Sequence, residues 1–515
     1  MQPHRASFLF IGLTLFGCAS GGGSRSEAGR PPLLLGLPGV VDSVRNTPPL
    51  DRMHWGVGAY DHRADRMLLR VNVDRHFVPA SNMKLVTTAV ALGRLGPEFR
   101  YVTTVHAENL QDGAASSLVV TGSGDPTLSA RFHGEPLAAL RMLADSIARS
   151  GVRRVDGPLV IDATYFDAQR IHPSWEVGDL DWYYAAPVGA FAIDEATMTL
   201  IVSPAAEVGQ PGSVTALAPE GLIAIEDSLV TDTAFSRNEV GFVRTPGTDA
   251  IRFTGRVPVN ATPDTIHLPV HDPAAFAGQA LMSLLRERGV EITGELIVVN
   301  ADSPVETAGR WNTQLARFQP VAAWASAPLR DIVEAILEAS QNWIAEQLWK
   351  TLGAELGEAG AWEQGAEVAQ RYLVDVVGID SAAFHLVDGS GLSVQNLLSP
   401  DAIMRLLFHA GETDWGGIYR AAMAEPGEVE STLETRLVAY EGRVFAKTGT
   451  ITHVNSLSGY LVAHDGREII FSILSNGSGV PSSLVRGGID RIVAVLAAVG
   501  APPPPPPEMD RRLAP

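Results

Sequence analysis

The chain reads Phe77-Val78-Pro79-Ala80-Ser81-Asn82-Met83-Lys84 immediately before an apolar run that extends from Leu85 to Leu95. The apolar spacing predicts a largely buried helix with Pro79 and Ser81 near its start. Residues three apart lie on one face of a helix, so the Ser81 hydroxyl and the Lys84 amine can meet. Burial would lower the pKa of Lys84 and let its neutral amine take the serine proton. On these residues alone, a capping serine followed by a surface lysine is the better-supported interpretation.

A second polar segment, Ser340-Gln341-Asn342, lies inside a helical pattern that runs from Leu329 to Leu352. Serine and asparagine favour caps and turns over helix interiors, so the segment indicates a break in the helix that faces something polar. The Ser340 hydroxyl could relay a proton, and the Asn342 carboxamide could hold a substrate amide. A solvated helix face is the alternative interpretation.

A third segment, Lys447-Thr448-Gly449-Thr450, follows an apolar strand near the C-terminal end of the chain. The Lys447 ammonium and the Thr448 hydroxyl can bind a carboxylate, and Gly449 lets a ligand approach the strand backbone closely. The backbone N–H of Thr450 can join that of Ser81 as an oxyanion hole. An edge-strand lysine followed by a turn explains the same residues.

Between the first two segments the composition changes. From about residue 101 to 305, short Val/Thr/Ile-rich runs alternate with Gly, Pro and Asp turns, and few helical patterns interrupt them. This pattern indicates mostly β material inserted between two parts of another domain. The chain length of 515 residues agrees, because it predicts two or three domains.

The bulk composition excludes several classes of function. Lys+Arg is 39 against Asp+Glu 58, a formal net charge of −19, so nucleic acid is not an expected partner. With a single cysteine, Cys18, an intrachain disulfide or a cysteine-based metal cluster is impossible. The sequence contains no Gly-x-Ser-x-Gly and no His-Glu-x-x-His, which argues against an α/β-hydrolase and a zinc peptidase of that class.

The N-terminus resembles a secretion signal. His4-Arg5 precedes an apolar run from Phe8 to Phe16 that is too short to span a bilayer, and a glycine stands before Cys18. Residues 1–18 are therefore predicted to be a lipoprotein-type signal peptide, cut before Cys18, which would receive lipid. Ordinary export without lipid is the alternative. Residues 19–48 are predicted to be a flexible tether, and residues 501–515 a Pro-rich tail.

The motifs Ser-x-x-Lys, Ser-x-Asn and Lys-Thr-Gly occur here in the order found in penicillin-binding proteins and serine β-lactamases. Within that superfamily the chain resembles the D-alanyl-D-alanine carboxypeptidase/endopeptidase group, peptidase family S13, also called class C low-molecular-mass penicillin-binding proteins of the penicillin-binding protein 4 type. The long interval between Lys84 and Ser340 separates this group from most β-lactamases. The resemblance extends from about residue 50 to 498 and includes Gly122-Ser123-Gly124-Asp125-Pro126, Asp388-Gly389-Ser390-Gly391-Leu392-Ser393 and Ser456-Leu457-Ser458-Gly459-Tyr460.

The resemblance implies an α/β (α+β) fold, in which a penicillin-binding protein/serine β-lactamase-like transpeptidase domain carries a large, β-rich nested insert. The peptidase domain would be discontinuous, and the insert would itself be interrupted. The expected ranges are 49–100 and 306–500 for the D,D-peptidase domain, 101–190 and 268–305 for inserted domain II, and 191–267 for the β-rich domain III nested in the insert.

The same resemblance implies a role for each residue of the three motifs. Ser81 would attack the carbonyl of the penultimate D-alanine and form an acyl-enzyme, and Lys84 would take its proton. Ser340 would pass that proton to the leaving amine. Asn342 would hold the substrate backbone, and Lys447 would lie close to Ser340. The residues expected on the terminal carboxylate are Lys447, Thr448 and Thr450, and Gly449 is expected to belong to the substrate-binding strand.

The implied partners are peptidoglycan stem peptides and β-lactams, and no metal or organic cofactor is implied. The protein is expected to be exported to the periplasm or cell envelope and anchored to a membrane through lipid on Cys18. Two rival functions use the same motifs: a β-lactamase or esterase, and a non-catalytic penicillin-binding sensor. The length of the insert argues against the first rival, and the three intact motifs argue against the second.

Overall fold

The computed structural model describes residues 36–219, 222–245 and 247–501, so Cys18, the predicted signal peptide and the tail from residue 502 lie outside the described residues. In those ranges the α-helices, numbered in chain order, are α1 Gly36–Arg45, α2 Met83–Arg94, α3 Ala130–His133, α4 Ala138–Arg149, α5 Pro273–Glu287, α6 Val305–Arg310, α7 Leu329–Leu337, α8 Asn342–Leu356, α9 Trp362–Arg371, α10 Pro400–Gly411, α11 Gly416–Ala421 and α12 Ser482–Ala497. The strands are β1 His54–Asp61, β2 Arg66–Val71, β3 Val102–Glu108, β4 Ala114–Ala115, β5 Ser117–Thr121, β6 Arg154–Val155, β7 Leu159–Asp162, β8 Thr197–Ser203, β9 Ser213–Ala216, β10 Ile225–Asp232, β11 Glu239–Arg244, β12 Ile251–Pro258, β13 Asp264–Pro269, β14 Glu291–Ile292, β15 Leu296–Val299, β16 Phe318–Ala325, β17 Phe384–His385, β18 Leu397–Leu398, β19 Val444–Ile451, β20 Val454–Val462 and β21 Glu468–Asn476. This mixture of helices and strands confirms the predicted α/β (α+β) class.

The N-terminal and C-terminal parts of the chain share one five-stranded antiparallel sheet, in the order β19-β20-β21-β1-β2. Strand β21 is apolar at consecutive positions because both faces of the sheet are covered. Ile469 and Phe471 pack in one core cluster with α12, whereas Ile470 and Leu474 pack in another with α10. The sheet therefore lies between two helical layers.

Helix α2 is a deeply buried element of this layered structure. Its residues from Met83 to Leu92 are all buried, and it contacts α7, α8 and α10. A single 3-10 turn, Ala80–Asn82, leads into it. The buried helix predicted from the apolar spacing is confirmed, and it carries Ser81 at its N-terminal end.

The β-rich stretch builds a second five-stranded sheet in the order β15-β7-β5-β3-β16. Strand β16 pairs antiparallel with β3, so residues 318–325 belong to the sheet of the insert. The predicted return to the peptidase domain at residue 306 is therefore too early, since the chain leaves this sheet only after Ala325. Two three-stranded sheets, β13-β8-β9 and β10-β12-β11, occupy the predicted nested region. The other domain limits stay predictions.

The predicted flexible tether is wrong for its last part, because Gly36–Arg45 forms helix α1. Val40, Val41 and Val44 are buried, and α1 packs against α12. With Leu37, these valines have the i, i+3, i+4, i+7 spacing of an amphipathic helix, which the flanking Gly and Pro residues obscured. Over the described ranges, no helix combines the length and apolarity needed to cross a membrane.

Candidate active site

The N-terminal end of α2 is fixed by hydrogen bonds to the C-terminal strands. The Asn82 carboxamide donates to the Lys447 carbonyl at 2.8 Å, which ties the helix to β19. The Ser456 hydroxyl of β20 donates to the Pro79 carbonyl, also at 2.8 Å. Ser81 lies between these two anchors, so its backbone position is set from both sides.

Lys84 is fully buried one helical turn after Ser81 and makes three hydrogen bonds. Its Nζ lies 3.0 Å from the Ser81 hydroxyl, 2.7 Å from Asn342 Oδ1 and 2.8 Å from the Ser390 carbonyl. A charged ammonium donates all three bonds, whereas a neutral amine has two protons and a lone pair. The two carbonyl oxygens can only accept, so the neutral amine must turn its lone pair toward the Ser81 hydroxyl.

Burial lowers the pKa of Lys84 from 10.5 to about 7, because an ammonium loses its hydration in the protein interior. The negative charges of Glu346 and Asp388 act in the opposite direction and raise this pKa. A substantial fraction of Lys84 is therefore neutral at neutral pH and able to accept a proton.

The predicted break in the Leu329–Leu352 helical pattern is confirmed. Helix α7 ends at Leu337 and α8 begins at Asn342, and Ser340 between them has a φ of +63°. A left-handed backbone is uncommon for a residue other than glycine and often marks a functional site. Asn342 accepts from Lys84 through Oδ1 and donates through Nδ2 to the Tyr184 carbonyl at 2.9 Å, which fixes its amide orientation.

The Lys447–Thr450 segment lies in β19, beside the N-terminal end of α2. Lys447 is fully buried, and its pKa is lowered by desolvation and by the charge of Lys84. Gly449 has no room for a side chain, because a Cβ would lie 2.2 Å from the Ser456 hydroxyl and 3.0 Å from the Ser81 nitrogen. The absence of a side chain lets β19 run directly against Ser81.

A cavity of about 350 Å³ opens over these groups. Ser81, Ser340, Asn342 and Thr450 line it, which brings the first two motifs and the residue after Lys-Thr-Gly to one cleft. Lys447, Thr448 and Gly449 are not among its lining residues. Thr448 is 8% exposed. Of the residues predicted from sequence, Cys18 lies outside the described ranges.

The family model for D-Ala-D-Ala carboxypeptidase 3 (S13) matches residues 37–499. The chain belongs to the S13 family of D-Ala-D-Ala carboxypeptidases. It is 35% identical over 458 residues to a D-alanyl-D-alanine carboxypeptidase from Actinomadura sp. (strain R39), a match that covers 86% of this chain and 81% of that relative. A carboxypeptidase DacB from Mycolicibacterium smegmatis is 26% identical over 434 residues, or 82% of this chain and 75% of the relative.

Solved structures show the same fold for this S13 member. Penicillin-binding protein 4 (dacB) from Haemophilus influenzae superposes with a TM-score of 0.74 at 20% identity, over 88% of this chain and 97% of the other. The same protein complexed with a β-lactam gives a TM-score of 0.70 at 21% identity, with the same coverage. The predicted penicillin-binding protein-like fold is confirmed.

Sequence reasoning missed two groups of the S13 site, the Glu346 carboxylate and the Ser390 carbonyl. Glu346 lies one turn after Asn342 on α8 and is fully buried. Its position four residues after Asn342 places it on the same face of the helix, but that spacing alone does not reveal its burial. The family resemblance includes the 388–393 segment but implies no chemical role for it. Among the described residues, no group of three or more His, Cys, Asp or Glu side chains could hold a metal ion.

Proposed function

We propose that this S13 member is a serine-type D-Ala-D-Ala carboxypeptidase/endopeptidase that acts on peptidoglycan stem peptides through an acyl-enzyme on Ser81. The observation that carries the proposal is the buried amine of Lys84, held between the Ser81 hydroxyl and the Asn342 carboxamide oxygen beside an open cavity. β-Lactams would acylate the same serine.

In the acylation step the neutral Lys84 amine takes the Ser81 proton as Oγ attacks the carbonyl carbon of the penultimate D-alanine. The backbone N–H groups of Ser81 and Thr450 would stabilise the oxyanion. The C–N bond then breaks, and the leaving amine of the terminal D-alanine receives a proton through Ser340. Water hydrolyses the ester, which releases the peptide and regenerates the serine.

The remaining motif residues would bind the substrate. Asn342 would contact the substrate backbone, since it lines the cavity and two protein partners fix the orientation of its amide. Lys447, Thr448 and Thr450 would bind the terminal carboxylate of the peptide or the equivalent group of a penicillin. Gly449 would leave the strand backbone accessible to that ligand.

Labelling with a fluorescent penicillin, combined with measurement of D-alanine release from purified muropeptides, tests the proposal. We expect stable labelling, release of D-alanine, and loss of both by at least about a thousandfold in Ser81→Ala. Ser303→Ala, on the insert, is the matched control and should keep both activities. Rapid penicillin turnover would instead identify a β-lactamase. A protein that neither labels nor releases D-alanine would be an inactive scaffold, and either outcome refutes the proposal.

We also propose that the protein is exported and reaches the periplasm or cell envelope, anchored through lipid on Cys18. The basic start, the short apolar run and the glycine before Cys18 support this assignment. In cells, Cys18→Ser should move the protein from the membrane fraction to the soluble fraction. Unlipidated Cys18 in a mass spectrum of the mature N-terminus would refute the anchor, though not export.

A further inference from the structure

Helix α8 places a charged group, the buried carboxylate of Glu346, near Lys84 of helix α2. It is fully buried, and all its hydrogen bonds come from neutral N–H groups. Oε2 accepts from the Trp362 indole at 2.7 Å and from the Gly389 backbone at 3.1 Å, and Oε1 accepts from the Ser390 backbone at 2.7 Å. Three N–H donors can offset much of the cost of burying a carboxylate.

These hydrogen bonds connect Glu346 to Lys84 through one residue. Glu346 fixes the N–H of Ser390, and the carbonyl of the same Ser390 accepts from Lys84 Nζ at 2.8 Å. On the other side of this loop, Asp388 accepts from the Gly391 and Ser393 backbones at 2.8 and 2.7 Å. The loop therefore has little freedom to move its carbonyl away from the amine.

Charge provides a second connection between the two residues. The charged groups that face Glu346 are Lys84 on α2, Asp388 on the loop and Lys350 one turn further along α8. Burial and the charge of Asp388 raise the pKa of Glu346 to about 7, so the carboxylate is ionised above that pH. An ionised Glu346 favours the ammonium form of Lys84, the form that exists after Lys84 has taken the serine proton.

We propose that Glu346 is a positioning residue for proton transfer: its carboxylate holds the Ser390 carbonyl against Lys84 Nζ, and its charge stabilises the ammonium that forms when Ser81 is deprotonated. The inference rests on the proposed role of Lys84 as proton acceptor. Without the charge, Lys84 would be neutral over a wider pH range but a weaker base. Acylation would then begin at lower pH and reach a lower plateau.

The pH dependence of the second-order rate constant for penicillin acylation of Ser81 tests this proposal. In Glu346→Gln the midpoint of the acidic limb should fall by about one pH unit, because a negative charge next to Lys84 is lost. The plateau should fall about tenfold. Lys84 becomes a weaker base, and at least one of the three N–H groups that donate to Glu346 would instead face the NH₂ group of the glutamine. Glu363→Gln, an exposed acid on α9, is the matched control and should change neither quantity.

A merely structural role for Glu346 predicts a lower plateau or a lower Tm with an unchanged midpoint, and that result would overturn the proposal. Glu346→Asp keeps the charge and provides the measurement if the glutamine variant does not fold. It should retain the wild-type midpoint with a reduced plateau, and a displaced midpoint contradicts the proposal.

Lys84→Ala separates this inference from the proposed function. Acylation that persists in Lys84→Ala refutes Lys84 as the proton acceptor, and the role of Glu346 falls with it. Loss of acylation in Lys84→Ala, together with an unchanged midpoint in Glu346→Gln, refutes the role of Glu346 alone.

Discussion

At the scale of single residues, Gly449 makes the most sharply defined steric prediction. A methyl group there would lie 2.2 Å from the Ser456 hydroxyl, 2.8 Å from the Pro79 carbonyl and 3.0 Å from the Ser81 nitrogen. The serine hydroxyl can rotate away, but the Pro79 carbonyl belongs to the backbone that carries Ser81. Gly449→Ala should therefore displace the nucleophile and slow penicillin acylation about a hundredfold, measured by stopped-flow labelling.

Gly417 in α11 offers a control for that substitution, because a Cβ there would meet no atom within 4 Å. Gly417→Ala should leave the acylation rate unchanged. An acylation rate in Gly449→Ala within twofold of wild type would show that β19 can move without disturbing Ser81.

The residue scale also shows what the sequence could predict about the site. The contact between Ser81 and Lys84 follows from helix spacing, and the break at Ser340 follows from the preference of serine and asparagine for turns. Glu346 could not be identified in this way, because a glutamate in a helix normally faces water. Its burial depends on α9 and the 388–393 loop closing over α8, which no local pattern encodes.

At the scale of elements, helix α1 contributes stability although it carries none of the three motifs. Val40, Val41 and Val44 are 3%, 2% and 1% exposed, and Val41 and Val44 pack in one core cluster with apolar residues of α12. A protein that begins at residue 46 should lose roughly 3 kcal/mol of stability, an amount that corresponds to several degrees in Tm. A protein that begins at residue 36 is the reference, and calorimetry of the two truncations measures the difference in Tm. Equal melting of the two truncations would contradict the assigned packing.

Element types were predictable where periodicity is strong. Strand β5 lies in the stretch where short Val/Thr/Ile-rich runs predict strands, and α2 agrees with the apolar run from Leu85 to Leu95 to within a few residues. The sequence did not predict which strands pair with each other, because periodicity shows which face of a strand is buried but not what covers that face. Strand β16 illustrates this limit: its assignment to the insert depends on pairing with β3, some two hundred residues earlier in the chain.

At the scale of the whole molecule, α8 joins the peptidase part to the insert. Four of its side chains donate hydrogen bonds to carbonyl or carboxylate oxygens of the insert. The pairs are Asn342 to Tyr184, Trp343 to Pro187, Gln347 to Gly189, and Lys350 to Asp167 and Gln169. Lys350 is fully buried and lies 4.4 Å from the centre of the Trp362 ring. The helix that carries Asn342 and Glu346 is therefore held in place from the insert side as well.

The pairing of β1 with β21 has a consequence for biosynthesis. Strand β1 ends at Asp61 and its partner β21 ends at Asn476, so ribosomes must add some 415 residues before the pair can form. At a synthesis rate of about 5 to 20 residues per second, that delay is roughly 20 to 80 s. Throughout this period the first strand has no native neighbour on that side, and the nascent peptidase core cannot close. Until β21 has been made, the five-stranded sheet is incomplete, so the enzyme can become active only after nearly the whole chain has been synthesised.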